Sequence, residues 1–248
     1  MKKTFVVNGS AHPGFGETTA RVIIDSGHKV IGLYEKTDIK NADLMRSEFN
    51  NNSLQLIEFN NRLEEVENLM KQIPEDIDGF VNACFLFEME NVEKFDIQLP
   101  NMIFEANYHV PITLAIALKQ KMKNGSSIVI ISSTESERGS FGGLSYAASK
   151  AAISNAIKTL ACNWGRNNNI RVNAIAAGWI GGEMDTDGPF AVSMDITPLG
   201  RLGKPEEIAQ TVDFLLSEKA SFINAQTIIV DGGYLAVDNI AKFEFLES

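Results

Sequence analysis

Seven short, β-branched runs alternate with helix-like segments along this chain, and that alternation limits the folds open to it. The runs lie at 5–7, 29–33, 54–59, 79–81, 127–132, 171–176 and 227–230. They are rich in β-branched and other apolar residues, as strands are. Amphipathic stretches separate them, such as 62–72 and 146–164, the latter expected to stop at Gly165. Lys204-Pro-Glu-Glu-Ile208 begins another helix, with Pro205 suited to the first turn and two acids favoured by the helix dipole. Parallel strands need long crossovers, and helices between strands supply them. The expected fold class is therefore α/β, a doubly wound parallel sheet of about seven strands with helices on both faces. No repeat or low-complexity linker divides the 248 residues, so a single domain, 1–248, is expected.

Composition removes several function classes. With 22 basic and 32 acidic residues the net charge is −10, and no Lys/Arg cluster offers a nucleic-acid footprint. No run approaches the roughly 20 apolar residues of a membrane span. The N-terminal segment lacks the apolar stretch of a signal peptide, so a soluble, cytoplasmic protein with no membrane partner is expected. Cys84 and Cys162 sit in apolar stretches and are expected as buried, reduced thiols. His12, His28 and His109 are scattered without ligand spacing, so no metal is expected.

The first run opens into Asn8-Gly-Ser-Ala-His-Pro-Gly-Phe-Gly16, and a helix-like segment, 17–24, follows. Glycines let a backbone approach a pyrophosphate closely, and a helix N-terminus favours its charge. Candidate dinucleotide contacts are Gly9, Ser10, His12, Gly14, Phe15 and Gly16, although tight packing of the turn would also call for the glycines. After the second strand, an acid suits the ribose of NAD and a basic residue the 2′-phosphate of NADP. Tyr34 falls at the acidic position by spacing, with Glu35 and Lys36 next. Glu35 suits NAD and Lys36 suits NADP. The lack of Arg in this turn and in the glycine loop leans the reading to NAD.

Tyr146 and Lys150 stand four apart, on one face of a helix, and Ser133 ends the fifth run. A phenol with an ordinary pKa of about 10 is a poor base near neutrality. The Lys150 ammonium, aided by a cationic nicotinamide, is expected to lower it. Tyr146 would then exchange a proton with a substrate oxygen oriented by Ser133, while the cofactor carries the hydride. Ser145, Ala147 and Ala148 are small enough for a cofactor to approach.

These features resemble the short-chain dehydrogenase/reductase family, in its short branch with 3-oxoacyl-(acyl-carrier-protein) reductase-like members. Tyr146-Ala-Ala-Ser-Lys150, Asp78-Gly-Phe-Val-Asn-Ala-Cys-Phe85, Ile170-Arg-Val-Asn-Ala-Ile-Ala-Ala-Gly-Trp179, Gly200-Arg-Leu-Gly203 and Val230-Asp-Gly-Gly233 carry the resemblance, which runs from Phe5 to about Tyr234. It implies a Rossmann-type sheet and NAD(P)-dependent interconversion of a ketone and a secondary alcohol. Ser133, Tyr146 and Lys150 would be catalytic, with Asn107 in a water relay to Lys150; satisfying a neighbouring backbone group would equally explain that Asn. Further cofactor contacts implied are Glu58, Asn82, Ala83, Tyr146, Lys150, Gly178 and the backbone of Ile180. The resemblance also implies a substrate lid at 181–198 and a homotetramer or dimer built on the Asn107 and Tyr146 helices.

The chain departs from the family pattern at several points. Asn8 stands for a Thr, the glycine loop is one residue longer and holds Pro13, and Ala177 stands for a Pro. Gly182 falls where a Thr commonly contacts the carboxamide. A side chain at Phe85 would crowd the cofactor or shape the substrate pocket, with Phe87, Trp179 and Phe190 as other candidate lining or plain core. Glu183, Asp185, Asp187 and Asp195 in the lid segment would suit an amine-bearing substrate, or are simply solvated. The acidic balance disfavours an acyl carrier protein and points to a low-molecular-weight substrate. Two other readings stay open: a dinucleotide-binding sensor or assembly subunit with little turnover, and a dehydratase or epimerase using the same Tyr/Lys pair. The tail, 235–248, would dock on a neighbouring subunit or fray.

Overall fold

A computed structural model describes residues 2–181, 188–238, 240–242 and 245. Its strands are β1 (Thr4–Asn8), β2 (Lys29–Tyr34), β3 (Leu54–Glu58), β4 (Ile77–Asn82), β5 (Met122–Ser133), β6 (Arg171–Ala177) and β7 (Thr227–Val230). They form one parallel sheet in the order β3-β2-β1-β4-β5-β6-β7. All seven sequence-predicted runs are strands, and the α/β, doubly wound architecture is as expected.

Strand alternation divides the core into two layers. Phe5 and Val7 face one layer, with Ile23 of α1 (Phe15–Asp25), Met45 of α2 (Ile39–Glu48) and residues of the last long helix before β7. Val6 faces the other, with Leu69 of α3 (Val66–Met70). A long helical segment, α4 (Gln98–Phe104) and α5 (Val110–Lys119), packs there beside α6 (Leu144–Asn168), through Leu114, Leu118, Ile153 and Ile157. Helix α7 (Pro189–Ile196) follows β6, and α8 (Pro205–Leu216) returns to the first layer through Ile208 and Val212. Each fully buried Ile, Leu or Val contributes about 1.5–3 kcal/mol, so these two stripes hold the sheet between helices.

Three details differ from the sequence expectation. The stretch 62–72 is helical only as a short turn, Leu63–Glu65, continued by α3; Pro74 follows closely and disfavours further helix. Helix α6 runs through Gly165 and ends at Asn169, whose φ of 52° makes the left-handed cap. Gly165 keeps room for Asn224, whose Nδ2 would lie 3.4 Å from a Cβ there. Cys162 is exposed, because Ala161 takes the core-facing position and the next residue is turned about 100° away.

The strand order reverses between β1 and β4, so a crevice opens beyond their C-terminal ends. Among the described residues no helix is long and apolar enough to cross a membrane.

Candidate active site

A cleft of about 650 Å³ lies at this crevice, lined by Gly9, His12, Glu35, Asp38, Asn61 and Phe85 among others. Its floor is the turn between β1 and α1. Gly9 has a φ of 81°, and a Cβ on Gly16 would sit 1.8 Å from the Gly9 carbonyl oxygen, so only glycine lets the helix start this close to the strand. The extra loop residue is absorbed by turns: His12 N–H donates to Gly9 C=O (2.9 Å), and Glu17 N–H donates to His12 C=O (3.1 Å). Asn41 Nδ2 ties the loop to α2 through Ala11 C=O and Glu17, each at 2.7 Å. The Ser10 hydroxyl points inward, donating to Leu33 C=O at 3.1 Å, so it supports the turn instead of facing the cleft.

The glycine cradle, the helix N-terminus and the acid at the end of β2 together fit a dinucleotide. That acid is Glu35. Tyr34, one residue earlier, faces the core, where its hydroxyl accepts from Arg46 (2.9 Å) and Arg46 stacks 5.0 Å from its ring centroid. Glu58 also misses the cleft and borders a separate, smaller depression with Glu65 and Asn68. Asn60 and Asn61 line the cleft in its place. In the first case one step along the chain reverses the side-chain direction; in the second the cleft wall is made by the turn two and three residues past the end of β3.

Asparagines weld the strand ends together. Asn8 Nδ2 donates to Asn61 Oδ1 (3.0 Å) and to Asn82 Oδ1 (2.8 Å), and Asn82 Nδ2 donates to Cys84 C=O (3.0 Å). Asn82 and Ala83 are therefore buried supports of the crevice, and Asn8 replaces a hydroxyl with a two-handed donor. Cys84 Sγ donates to Glu35 Oε1 at 3.3 Å, and burial pushes its thiol pKa up, further raised by the Glu35 charge.

Beyond Phe85 lie Ser133, Tyr146 and Lys150, as the sequence predicted. Ser133 ends β5, opposite Ala177 of β6, and its Oγ accepts from Glu135 N–H at 3.2 Å. Ser133 stands beside the Tyr146 hydroxyl and favours its ionised form. Helix α6 is anchored for this at its start, where Glu90 accepts from the Ser145 hydroxyl (2.7 Å) and the Ser145 N–H (2.5 Å). Lys150 is buried, with Nζ donating to Ile131 C=O at 3.1 Å and lying 5.5 Å from the Tyr146 ring centroid. Burial depresses the Lys150 pKa to about 8.

Tyr146 runs against the expected direction. Its pKa is pushed up to about 12, chiefly by burial, and Ser133 only partly offsets this. Phe87 and Phe85 explain the dryness, packing edge-on with ring centroids 5.0 and 6.4 Å from Tyr146. Glu135 adds an opposing charge; one of its carboxylate oxygens lies 3.5 Å from Arg138, and the other is buried with no hydrogen-bond partner among the described residues.

Asn107 sits in a π-helical turn, Glu105–His109, between α4 and α5. Its side chain accepts from Leu86 N–H (2.7 Å) and donates to Leu86 C=O (2.8 Å) and Ser149 Oγ (3.2 Å). It thus satisfies a neighbouring backbone. Pro111 lacks an N–H, so the Asn107 carbonyl loses its ordinary helical donor.

Gly178 N–H donates to Val230 C=O (2.9 Å), and a Cβ there would meet Asp231 at 2.7 Å. Around Ile180 the bridging bonds to Gly203 are made by Trp179 C=O and Gly181 N–H, which leaves Ile180's own N–H and C=O on the opposite side. Trp179 and Phe190 meet edge-on at 6.1 Å. Of the segment 181–198 expected as a lid, residues 182–187, with Gly182, Glu183, Met184, Asp185 and Asp187, lie outside the described residues. Part of the tail folds back in cis, where Lys242 donates to Asp195 C=O and pairs with its carboxylate at 3.8 Å.

Residues 9–235 match the family model described as enoyl-(acyl carrier protein) reductase. A 3-oxoacyl-(acyl-carrier-protein) reductase of Haemophilus influenzae is 31% identical over 243 residues, covering 93% of this chain and 97% of that protein. The chain belongs to the short-chain dehydrogenase/reductase family. As such it is an NAD(P)-dependent oxidoreductase interconverting a ketone and an alcohol. Among other short-chain dehydrogenase/reductase relatives, an NAD-dependent glycerol dehydrogenase of Listeria innocua is 29% identical over 248 residues, 94% of this chain and 93% of that protein. An uncharacterised relative of Sinorhizobium fredii is 37% identical over 132 residues, so the match spans 51% of this chain and about a quarter (24%) of that longer protein. The crystal structure of acetoin dehydrogenase from Enterobacter cloacae superposes with a TM-score of 0.85 at 26% identity, covering 96% and 98% of the two chains. Sequence reasoning missed Asn61, Glu90 and Glu135 in this short-chain dehydrogenase/reductase site. Glu135 alone carried a signal, two residues after Ser133; the others come from distant loops.

Proposed function

We propose that this chain is an NAD-preferring reductase of small ketones in which Tyr146 is the general acid/base. The gathering of Ser133, Tyr146 and buried Lys150, whose Nζ lies 5.5 Å from the Tyr146 ring centroid, carries the reading. The nicotinamide supplies the hydride when bound. Gly9, Gly14, Phe15 and Gly16 would hold the pyrophosphate, Glu35 the adenosine ribose, and the Ile180 backbone the carboxamide. Ser133 orients the carbonyl oxygen. With its pKa near 12, Tyr146 is protonated at neutral pH and donates to that oxygen as charge develops on it. Lys150, charged below about pH 8, steadies the resulting phenolate. The freed Asn107 carbonyl is suited to a water relay that returns the proton through Lys150. The buried, unpartnered oxygen of Glu135 suits a substrate hydroxyl or ammonium, and the glycerol and acetoin relatives make a hydroxyketone the first choice.

Glu35, Asp38, Glu64 and Glu105 around the cleft oppose a 2′-phosphate. The expected result is NADH binding at least about tenfold tighter than NADPH by fluorescence titration, with Glu35→Gln narrowing the gap. NADPH binding tighter would overturn the NAD preference. With NADH bound, nicotinamide absorbance followed against a panel of ketones and hydroxyketones tests turnover. Tight binding without any change in absorbance would favour the second reading, a binder with little turnover, which the ring of Phe85 between cleft and catalytic pair supports.

The same reading includes a homo-oligomer, dimer or tetramer, in a cytoplasmic setting. Met102 on α4, Ile116 on α5 and Leu144 on α6 are each half or more exposed, as helix faces awaiting a copy would be, and two free thiols suit a reducing compartment. Light scattering after size exclusion is expected to give a multiple of 27.2 kDa; a monomer at micromolar concentration would remove this part of the reading.

A further inference from the structure

We propose that Phe85 is a displaceable partition between the dinucleotide cleft and the proton-transfer pair, and that it sets the affinity for the nicotinamide end of the cofactor. The proposal rests on the oxidoreductase reading above. The cleft runs from His12 and Glu35 to Cys84 and Phe85, and Ser133, Tyr146 and Lys150 do not border it. Phe85 closes the gap between its two walls. On the α1 side its ring centroid lies 6.1 Å from that of Phe15; on the α6 side it lies 6.4 Å from Tyr146, with Lys150 Nζ 5.4 Å away. A dinucleotide seated on the glycine turn therefore meets this ring before it meets the catalytic pair.

The ring is placed to move. It is 37% exposed and held by edge contacts, with no hydrogen bond to break. Lys150 makes one strong bond, to Ile131 C=O, and uses the ring face as a second, weaker partner. A ligand hydroxyl is a better partner for a desolvated ammonium than a ring is, so a cofactor that displaces Phe85 gains a charge-assisted hydrogen bond in exchange. The measured affinity is then the intrinsic affinity diluted by the fraction of molecules with the ring swung aside.

Fluorescence titration of wild type, Phe85→Ala and Phe85→Leu with NADH, and calorimetric titration with ADP, test this. ADP reaches only the adenosine end. Phe85→Ala is expected to bind NADH about tenfold tighter or more, corresponding to an open fraction of about a tenth or less in wild type. Phe85→Leu is expected to fall between, and ADP affinity to stay within about twofold in all three proteins. Equal or weaker NADH binding by Phe85→Ala overturns the partition, as does an equal gain for ADP. If Phe85→Ala gains NADH affinity but no carbonyl panel member is ever reduced, the partition stands and the reductase reading fails. If no variant binds NADH, both fail.

Discussion

Replacing Tyr146 by Phe is expected to lower kcat for carbonyl reduction by about 10²–10⁴-fold, the usual worth of a positioned acid/base. The substitution removes one oxygen and leaves the ring, so the edge contacts to Phe85 and Phe87 remain. NADH affinity should stay within a few-fold. Ser133 loses a neighbour but keeps the Glu135 N–H, so stability should change by about 1 kcal/mol or less. Turnover from nicotinamide absorbance and a thermal melt make the measurement. A protein that melts normally, binds NADH and retains full turnover without the phenol would take Tyr146 out of the mechanism.

Replacing Lys150 by Met is expected to split function from stability. The side chain is buried, and its pKa is depressed from 10.5 to about 8 because burial disfavours the ammonium. Between those values the unfolded chain holds a proton that the folded chain has released, so stability rises with pH from about 8 to 10.5. Below pH 8 the folded protein carries the whole cost, on the order of 3 kcal/mol for a shift of this size. A Met of similar volume removes it, and Tm at pH 7 is expected to rise by an amount equivalent to about 1–3 kcal/mol. The upward slope of Tm between pH 8 and 10 should vanish with it. Above pH 10 the raised pKa of Tyr146 acts oppositely, since the unfolded phenol ionises first and stability falls toward pH 12. At the same time kcat at pH 7 should fall by about 10²-fold or more, for want of a cation beside the phenolate. In wild type the reduction rate should decline above about pH 8 as Lys150 discharges. A less stable Lys150→Met protein at pH 7 would mean that the bond to Ile131 outweighs the cost of burial.

The legible parts of this protein were those written in short-range spacing. Strands covered on both faces read as apolar runs, and all seven were recognisable. Gly9 and Gly16 follow from how closely a helix must start to a strand, and Tyr146 and Lys150 from the helical repeat. Parity failed at the strand ends: Glu35, not Tyr34, reaches the cleft, and Asn61, not Glu58, stands on its wall. At β2 a one-residue error turns a side chain from cleft to core, and at β3 the wall is built by the turn beyond the strand, where strand alternation no longer applies. Cys162 was misplaced similarly, on the wrong side of a helix whose apolar stripe was otherwise clear.

What the sequence by itself determined was the layered sheet, the family and the helical pairing of Tyr146 with Lys150, because each rests on a pattern carried by the order of the residues. What only the tertiary structure decided was the state of those residues. Phe85 and Phe87 come from the loop after β4, Lys150 and Tyr146 from α6, and no local pattern says that they pack together. Their contact keeps water from the site, and desolvation depends on everything that surrounds a group in space. For that reason the phenol stands near 12 and the ammonium near 8, where spacing alone had suggested a lowered phenol.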